Sequence, residues 1–370
     1  MTNEKTFDII YESVWAKAHK DVKSAAMAQL VEHILGKDEV PGPNPGSSSR
    51  HPRCSQSIGA LAFYRLFQKG VGMLYNNLSG YLKSKYGARV RKICIDGGFT
   101  CPNRDGKVGT GGCIYCSERG SGDHIRLGLG IREQVQSSLE SAAKNDKFIA
   151  YFQNYTNTYA PVSILKERYD AALIDNRIVA LAIGTRPDCI NDEIALLIAS
   201  YKEKVDVWVE LGLQTASDEI AKIINRGYDS SVYLDAVRIL KKYGIPVVTH
   251  IMIGLPGEEQ AELEYTVKML KEADPWGIKI HSVYVAAGTK LAKMYKDNEY
   301  EPISKETYID RTVYVLTHIN PDTVIHRLTG DCPRELLVAP LWNTEKNSVI
   351  SGIVKKMEEL GVKQGEYYTV

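Results

Sequence analysis

IVALAIGTRPDCINDEIALLIASYKEKVDVWVELGL, residues 178–213, reads as an apolar run, an amphipathic segment and a second apolar run. The two outer runs, 178–184 and 205–213, are almost continuously hydrophobic and rich in β-branched residues, the pattern of strands covered on both faces. Between them Asn191 is placed to cap a helix, Asp192 and Glu193 suit its positive end, and Ile194, Leu197, Ile198 and Tyr201 recur at i, i+3, i+4 and i+7. Strand, helix and strand in this order predict a parallel pair joined by a crossover helix.

The same unit repeats in both directions. Further strand-like runs lie at 90–96, 148–154, 247–254 and 278–285, with helical patterns at about 131–145, 161–175, 217–225, 230–243 and 259–273. Six β-then-α units predict an α/β fold with one parallel sheet and helices outside it, curled as a partial barrel; a doubly wound open sheet is the alternative. In either case ligands belong at the carboxyl ends of the strands. Near the C-terminus, KNSVISGIVKKMEELG (346–361) is an amphipathic helix that sets Val349, Ile350, Ile353, Val354 and Met357 on one face, to pack against the barrel.

A formal charge of +1, 25% charged and 44% hydrophobic residues describe a globular, enzyme-sized chain and argue against a strongly basic polyanion binder. The opening residues carry no secretory signal or long apolar run, which predicts a cytoplasmic protein with no membrane association. Seven cysteines in 370 residues give no disulfide framework, so the thiols are expected reduced. Residues 1–72 read differently from the rest, without sustained periodicity and with a Pro, Gly and Ser-rich end. Ala28 to Glu32 is what the D-arm of many tRNA genes encodes when translated, and Gly42 to Pro45 is one residue from the T-arm equivalent. The expectation is that 1–72 is a mis-assigned or disordered extension, with translation starting near Met73, a barrel over 73–290 and a C-terminal extension over 291–370.

The first predicted strand runs into CPNRDGKVGTGGCIYC, 101–116, so Cys101, Cys113 and Cys116 fall at the ligand-binding end of the sheet. Cys113 and Cys116 have the CxxC spacing that lets two thiolates reach one metal, and the glycines leave backbone N–H groups free to bond sulfur. An iron–sulfur cluster fits, and so does zinc with His124 as a fourth ligand. A redox pair explains neither Cys101 nor the glycines. Cys94 reads as core, and Cys189 and Cys332 as bystanders.

KICIDGGFTCPNRDGKVGTGGCIYCSERGSGD resembles the cluster loop of the small bacterial radical SAM proteins related to the catalytic subunit of Elongator, and the resemblance continues through YFQNYTNTYAP, GTRPDCI, WVELGLQTASDEIAKIINRGY, THIMIGLPGE, GIKIHSVYV and LLVAPLW. It implies a partial (βα)6 TIM-like barrel with a C-terminal helical and strand extension. It also implies that Cys101, Cys113 and Cys116 hold a 4Fe–4S cluster. S-adenosylmethionine would then be cleaved to a 5′-deoxyadenosyl radical, with an electron from a donor such as flavodoxin or ferredoxin. By the same resemblance Gln214 would meet the cofactor's ribose and Arg226 its carboxylate. His250 stands where a related oxidase family has a ribose-binding aspartate, and Gly254 would turn the chain beneath the adenine. Tyr115 would shield the cluster or adenine, and Asn154 and Thr185, at strand ends, would orient the cofactor.

The implied substrate is tRNA, with chemistry at C5 of the wobble uridine; a small metabolite or porphyrin is the alternative, and a zinc-stabilised RNA-binding module without catalysis is a third. Arg311, His326, Arg327 and Arg334, with Tyr308 and Tyr314, would form a phosphate-facing surface with stacking partners.

Overall fold

The computed structural model describes residues 74–120, 122, 125 and 128–369; the expectations for residues 1–73 and for His124 lie outside them. After helix α1 (Leu78–Tyr86) come strand β1 (Val90–Ile95), α2 (Ile131–Glu140), β2 (Lys147–Phe152), α3 (Val162–Ala172), β3 (Ile178–Thr185), α4 (Asp192–Ser200) and β4 (Asp206–Gln214). Then follow α5 (Asp218–Ile223), α6 (Ser230–Lys242), β5 (Val247–Ile253), α7 (Gln260–Ala273) and β6 (Gly277–Ser282). The remainder is β7 (Val285–Ala286), α8 (Lys290–Lys296), α9 (Lys305–His318), β8 (Val324–Arg327), β9 (Leu337–Ala339) and α10 (Lys346–Leu360).

All six expected strands form, in the order β1-β2-β3-β4-β5-β6, and every neighbouring pair is parallel. The sheet has a seventh strand, β8, which adds parallel to β6 from the C-terminal extension. Helix α4 begins where the sequence places it: the Asn191 side chain accepts the Ile194 amide at 2.9 Å, satisfying one of the helix's orphan donors.

Strand alternation sorts the side chains. Ile93, Ile95, Phe148, Phe152, Leu181, Ile183, Val207, Val209, Leu211 and Leu213 face the outer helices and form the main core. On the concave face, Ile149, Ala180, Trp208, Val248 and Val324 pack with Leu78 and Leu82 of α1, which plugs the amino end of the half-barrel. The segment before α1 also reaches the far edge of the sheet, where the Ile325 amide donates to the Asn76 carbonyl at 2.7 Å and Asn77 bridges Ile325. The chain is thereby drawn from β1 towards β8 at the floor, leaving the carboxyl end of the sheet open for loops. At the C-terminus α10 buries Val349, Ile350, Ile353 and Met357, the face expected of it, and ends at Gly361 with φ 66°.

Candidate functional site

The three cysteines lie on the loop that leaves β1, and the loop is folded on itself. The Arg104 and Asp105 amides donate to the Cys101 carbonyl, the Gly112 amide donates to the Asn103 carbonyl at 2.8 Å, and the Cys116 amide to the Cys113 carbonyl at 3.0 Å. Gly112 has φ 73°, and a Cβ there would stand 2.9 Å from the Arg104 side chain, so this turn needs a glycine. The loop is also pinned from outside. Asn103 donates to the Asn225 carbonyl at 2.6 Å, Asn225 donates back to the Gly112 carbonyl at 2.8 Å, and the Ile114 amide donates to the Ile224 carbonyl at 3.1 Å. The end of α5 thus fixes the position of Cys113.

Around the sulfurs burial works against negative charge, and an amide and two guanidiniums offset it. The Asn103 amide nitrogen lies 3.8 Å from Cys113 Sγ. Burial raises the Cys113 thiol's pKa, with Arg186 acting against it; burial and then Cys113 push Cys116 up to about 11, opposed by Arg104. All three thiols feel one another electrostatically. Among the described residues no three His, Cys, Asp or Glu side chains stand close enough to share one metal ion. A cluster asks less, since each thiolate takes a different iron. Three thiols at the open end of the sheet, two guanidiniums to offset their charge and an amide aimed at one sulfur fit such a group.

Strand ends frame the loop. At β4 the ladder to β5 is interrupted between Gly212 and Gln214, and Gln214 takes φ 62°, a conformation costly for a non-glycine residue. Its Oε1 accepts from the Tyr228 hydroxyl at 3.3 Å. Thr185 ends β3 and shares a 2.6 Å hydroxyl contact with Thr158. Beyond it Arg186 is bound by Asp188 through two bonds at 2.9 and 2.7 Å and lies over the Tyr228 ring at 4.7 Å. After β2, Asn154 is 1% exposed and its Oδ1 has no hydrogen-bond partner among the described residues. Burial, then the fields of Cys113 and Tyr228, raise the pKa of the Tyr115 hydroxyl, which places that side chain near both. The Gly254 amide donates to the Glu258 carboxylate and its carbonyl accepts from Tyr300 at 2.7 Å; its φ of 95° lets the chain turn after β5.

Two expected residues have partners within the protein. Arg226 is 1% exposed and donates to the carbonyls of Leu213, Thr215 and Tyr228 and to Asp218 at 3.2 Å, using four of the five N–H groups a guanidinium has. The carboxylate it holds in this structure is Asp218. His250 sits in mid-strand on the concave face, well below the loop, where Nε2 meets Glu210 at 2.8 Å. Burial, then the field of Lys279, lowers its pKa to about 4.

Some readings are corrected. Cys94 is exposed on the concave face instead of buried in the core, because β1 directs Ile93 and Ile95 outward. Tyr308 is fully buried, with its hydroxyl on the Leu328 carbonyl at 2.8 Å, so it offers no stacking surface. Arg311 turns inward to Glu258, and the His326 ring packs edge-on to Trp208 and Trp276. Glu210, whose direction the sequence leaves open, points into the half-barrel beside Lys279.

Residues 104–270 match the Radical SAM superfamily and 275–359 match the Radical_SAM C-terminal domain. The protein YtqA of Bacillus subtilis (strain 168) is 39% identical over 298 residues, covering 80% of this chain and 92% of that protein. The chain belongs to the radical SAM superfamily. Membership implies a 4Fe–4S cluster and S-adenosylmethionine. A more distant relative, the tRNA uridine(34) acetyltransferase of Methanocaldococcus jannaschii, is 32% identical over 196 residues, 51% of this chain but 34% of that protein. Among solved structures, archaeal Elp3 from Methanocaldococcus infernus superposes with a TM-score of 0.56 at 22% identity, over 75% of this chain and 64% of that one, a likeness of fold. Among the described residues no helix is long and apolar enough to cross a membrane.

Lys92, Glu210, Lys279 and His281, all on the concave face, were not among the residues expected to bind. A signal existed: each is a polar residue alternating with apolar ones inside a predicted strand, as in IKIH (278–281).

Proposed function

We propose that this radical SAM protein holds its 4Fe–4S cluster through Cys101, Cys113 and Cys116 and modifies tRNA at C5 of the wobble uridine. The observation that carries the cluster assignment is the position of three mutually interacting thiols at the carboxyl end of a curled parallel sheet. When bound, cluster and S-adenosylmethionine supply a 5′-deoxyadenosyl radical that takes a hydrogen atom from the substrate. The chain's own residues then have distinct tasks. Arg104 and Arg186 offset thiolate charge, and Asn103 bonds one sulfur. Asn154, with its unpartnered buried oxygen, accepts from the cofactor's amino group. Gln214 and Thr185 meet its ribose and carboxylate from their strand ends, Gly254 brings backbone beneath the adenine, and Tyr115 shuts water from the sulfurs.

The tRNA assignment is supported by the relative from Methanocaldococcus jannaschii, whose name states a tRNA uridine substrate and which shares part of its length with this chain. To test it, anaerobically reconstituted protein is incubated with S-adenosylmethionine, dithionite or reduced flavodoxin, and tRNA from cells lacking the gene. Nucleoside mass spectrometry then reads the wobble position. A mass change that wild type makes and Cys113→Ala does not supports the reading. Formation of 5′-deoxyadenosine with every tRNA nucleoside unchanged removes tRNA as substrate and leaves the cluster assignment standing.

A further inference from the structure

Below the cysteine loop, the concave face carries charged groups that cluster and cofactor leave without a task. Glu210 is 1% exposed and accepts from Lys279, from His250 at 2.8 Å and from the Trp208 indole at 3.2 Å. It stands four residues before the end of β4, about 13 Å below the mouth at ~3.3 Å per residue. Lys92 of β1 reaches the same space, with its ammonium 5.6 Å from the Tyr151 ring centre and no hydrogen bond or ion pair among the described residues. Between β6 and β8 the register shifts, so that Ile278 faces Ile325 but Lys279 faces Arg327. That irregularity re-aims a side chain, and the Arg327 charge acts on Lys92, Cys94 and Lys279.

Formal charge in this chamber does not balance. Glu210 serves Lys279 and Arg327 has Asp331, while Lys92 has no ion-pair partner among the described residues, because Asp206, the other carboxylate on this face of β4, is taken at the floor by Lys85 at 2.6 Å and by Tyr86. Asp331, 3.7 Å from Arg327, is shared with Lys346. Among the described residues, His281 Nε2 and both ring nitrogens of His326 are buried without a hydrogen-bond partner. Burying polar nitrogens without partners is costly, and an anion beside the unpaired Lys92 would relieve that cost. Space remains for one, since Lys92 and Cys94 are still open to solvent.

We propose that this chamber binds the anionic oxygen group, a carboxylate or a phosphate, of a small reactant held by Lys92, Lys279 and Arg327. His281 donates to the same group. The inference rests on the radical SAM reading only in making the chamber the place of reaction; anion binding itself needs no cluster.

The test uses the full chain and scanning calorimetry at constant ionic strength, titrating inorganic phosphate in one arm and acetate in the other against potassium chloride. At tenfold above half-saturation, one arm or both raise the unfolding midpoint by roughly 2–4 °C. Phosphate alone assigns a phosphate ester, acetate alone a carboxylate. Lys92→Gln and Arg327→Gln each weaken the response about tenfold or more, and the surface variant Lys355→Gln leaves it unchanged. Lys92 makes no bond on which the fold depends, so Lys92→Gln is expected to fold as wild type. No shift beyond that of chloride, or a shift that survives in both lumen variants, overturns the proposal. Cys101→Ala keeps the shift; a wild type that binds anion and makes no 5′-deoxyadenosine refutes the cluster reading and leaves the anion site intact.

Discussion

The two faces of one sheet are built from opposite chemistry. Along β4, Val207, Val209, Leu211 and Leu213 turn outward into a close-packed apolar core, while Trp208, Glu210, Gly212 and Gln214 turn inward to an ion pair, a strand irregularity and a strained turn. Successive residues of one strand therefore do different work. The convex side supplies burial that holds the curl, and the concave side spends stability to keep charged groups away from water. Nearness to the outer core is thus a poor guide to function here, and the side of the strand is a good one.

That contrast can be broken from either side. The largest effect is expected on the concave face. Glu210→Ala leaves Lys279 buried without its carboxylate and should cost about 3–5 kcal/mol in denaturant unfolding, with part recovered in Glu210→Ala/Lys279→Met. A double variant no more stable than the single one would show that the ion pair is not what Glu210 contributes. On the convex face Leu211→Ala should cost about 2–5 kcal/mol through lost burial and a cavity, yet leave the rate of S-adenosylmethionine cleavage per folded molecule unchanged. Acid should then separate the faces. Burial lowers the pKa of His250 to about 4, and those of His281 and His326 well below normal, so the unfolded chain binds protons that the folded one does not. Stability is expected to be complete above about pH 6.5 and to fall as pH drops through that value towards 4, with a shallower fall in His250→Asn. Equal slopes in the two proteins would contradict the assignment. The smallest change is local: Asn191→Ala removes the cap of α4 and should cost about 1 kcal/mol with no effect on chemistry, measured by the same unfolding curves.

The sequence makes the outer architecture legible because each strand is an apolar run and each helix has a periodic face and, as at Asn191, a cap. The cysteine loop is legible from spacing and its place after β1. Less can be read where register decides. β8 is four residues long, too short to stand out between Pro321 and the loop after it, and the irregularity that turns Arg327 inward has no residue signature. Cys94 and Glu210 needed the face of the strand to be known, since a shift of one residue exchanges core for lumen. Tyr308 is a case where a signal was present: with Thr312 and Val315 it lies on the apolar side of α9, which places it in the core and away from any ligand. The clamp between Asn103 and Asn225 joins segments far apart in sequence, and nothing in either stretch announces it.

The most direct test of the central claim is the formation of 5′-deoxyadenosine by anaerobically reconstituted protein given dithionite and S-adenosylmethionine, with Cys101→Ala, Cys113→Ala and Cys116→Ala beside the wild type. The account predicts a brown wild-type protein that makes 5′-deoxyadenosine, and three variants that make none. A colourless wild-type protein that binds one zinc and makes none, or a cysteine variant that keeps the activity, would contradict it.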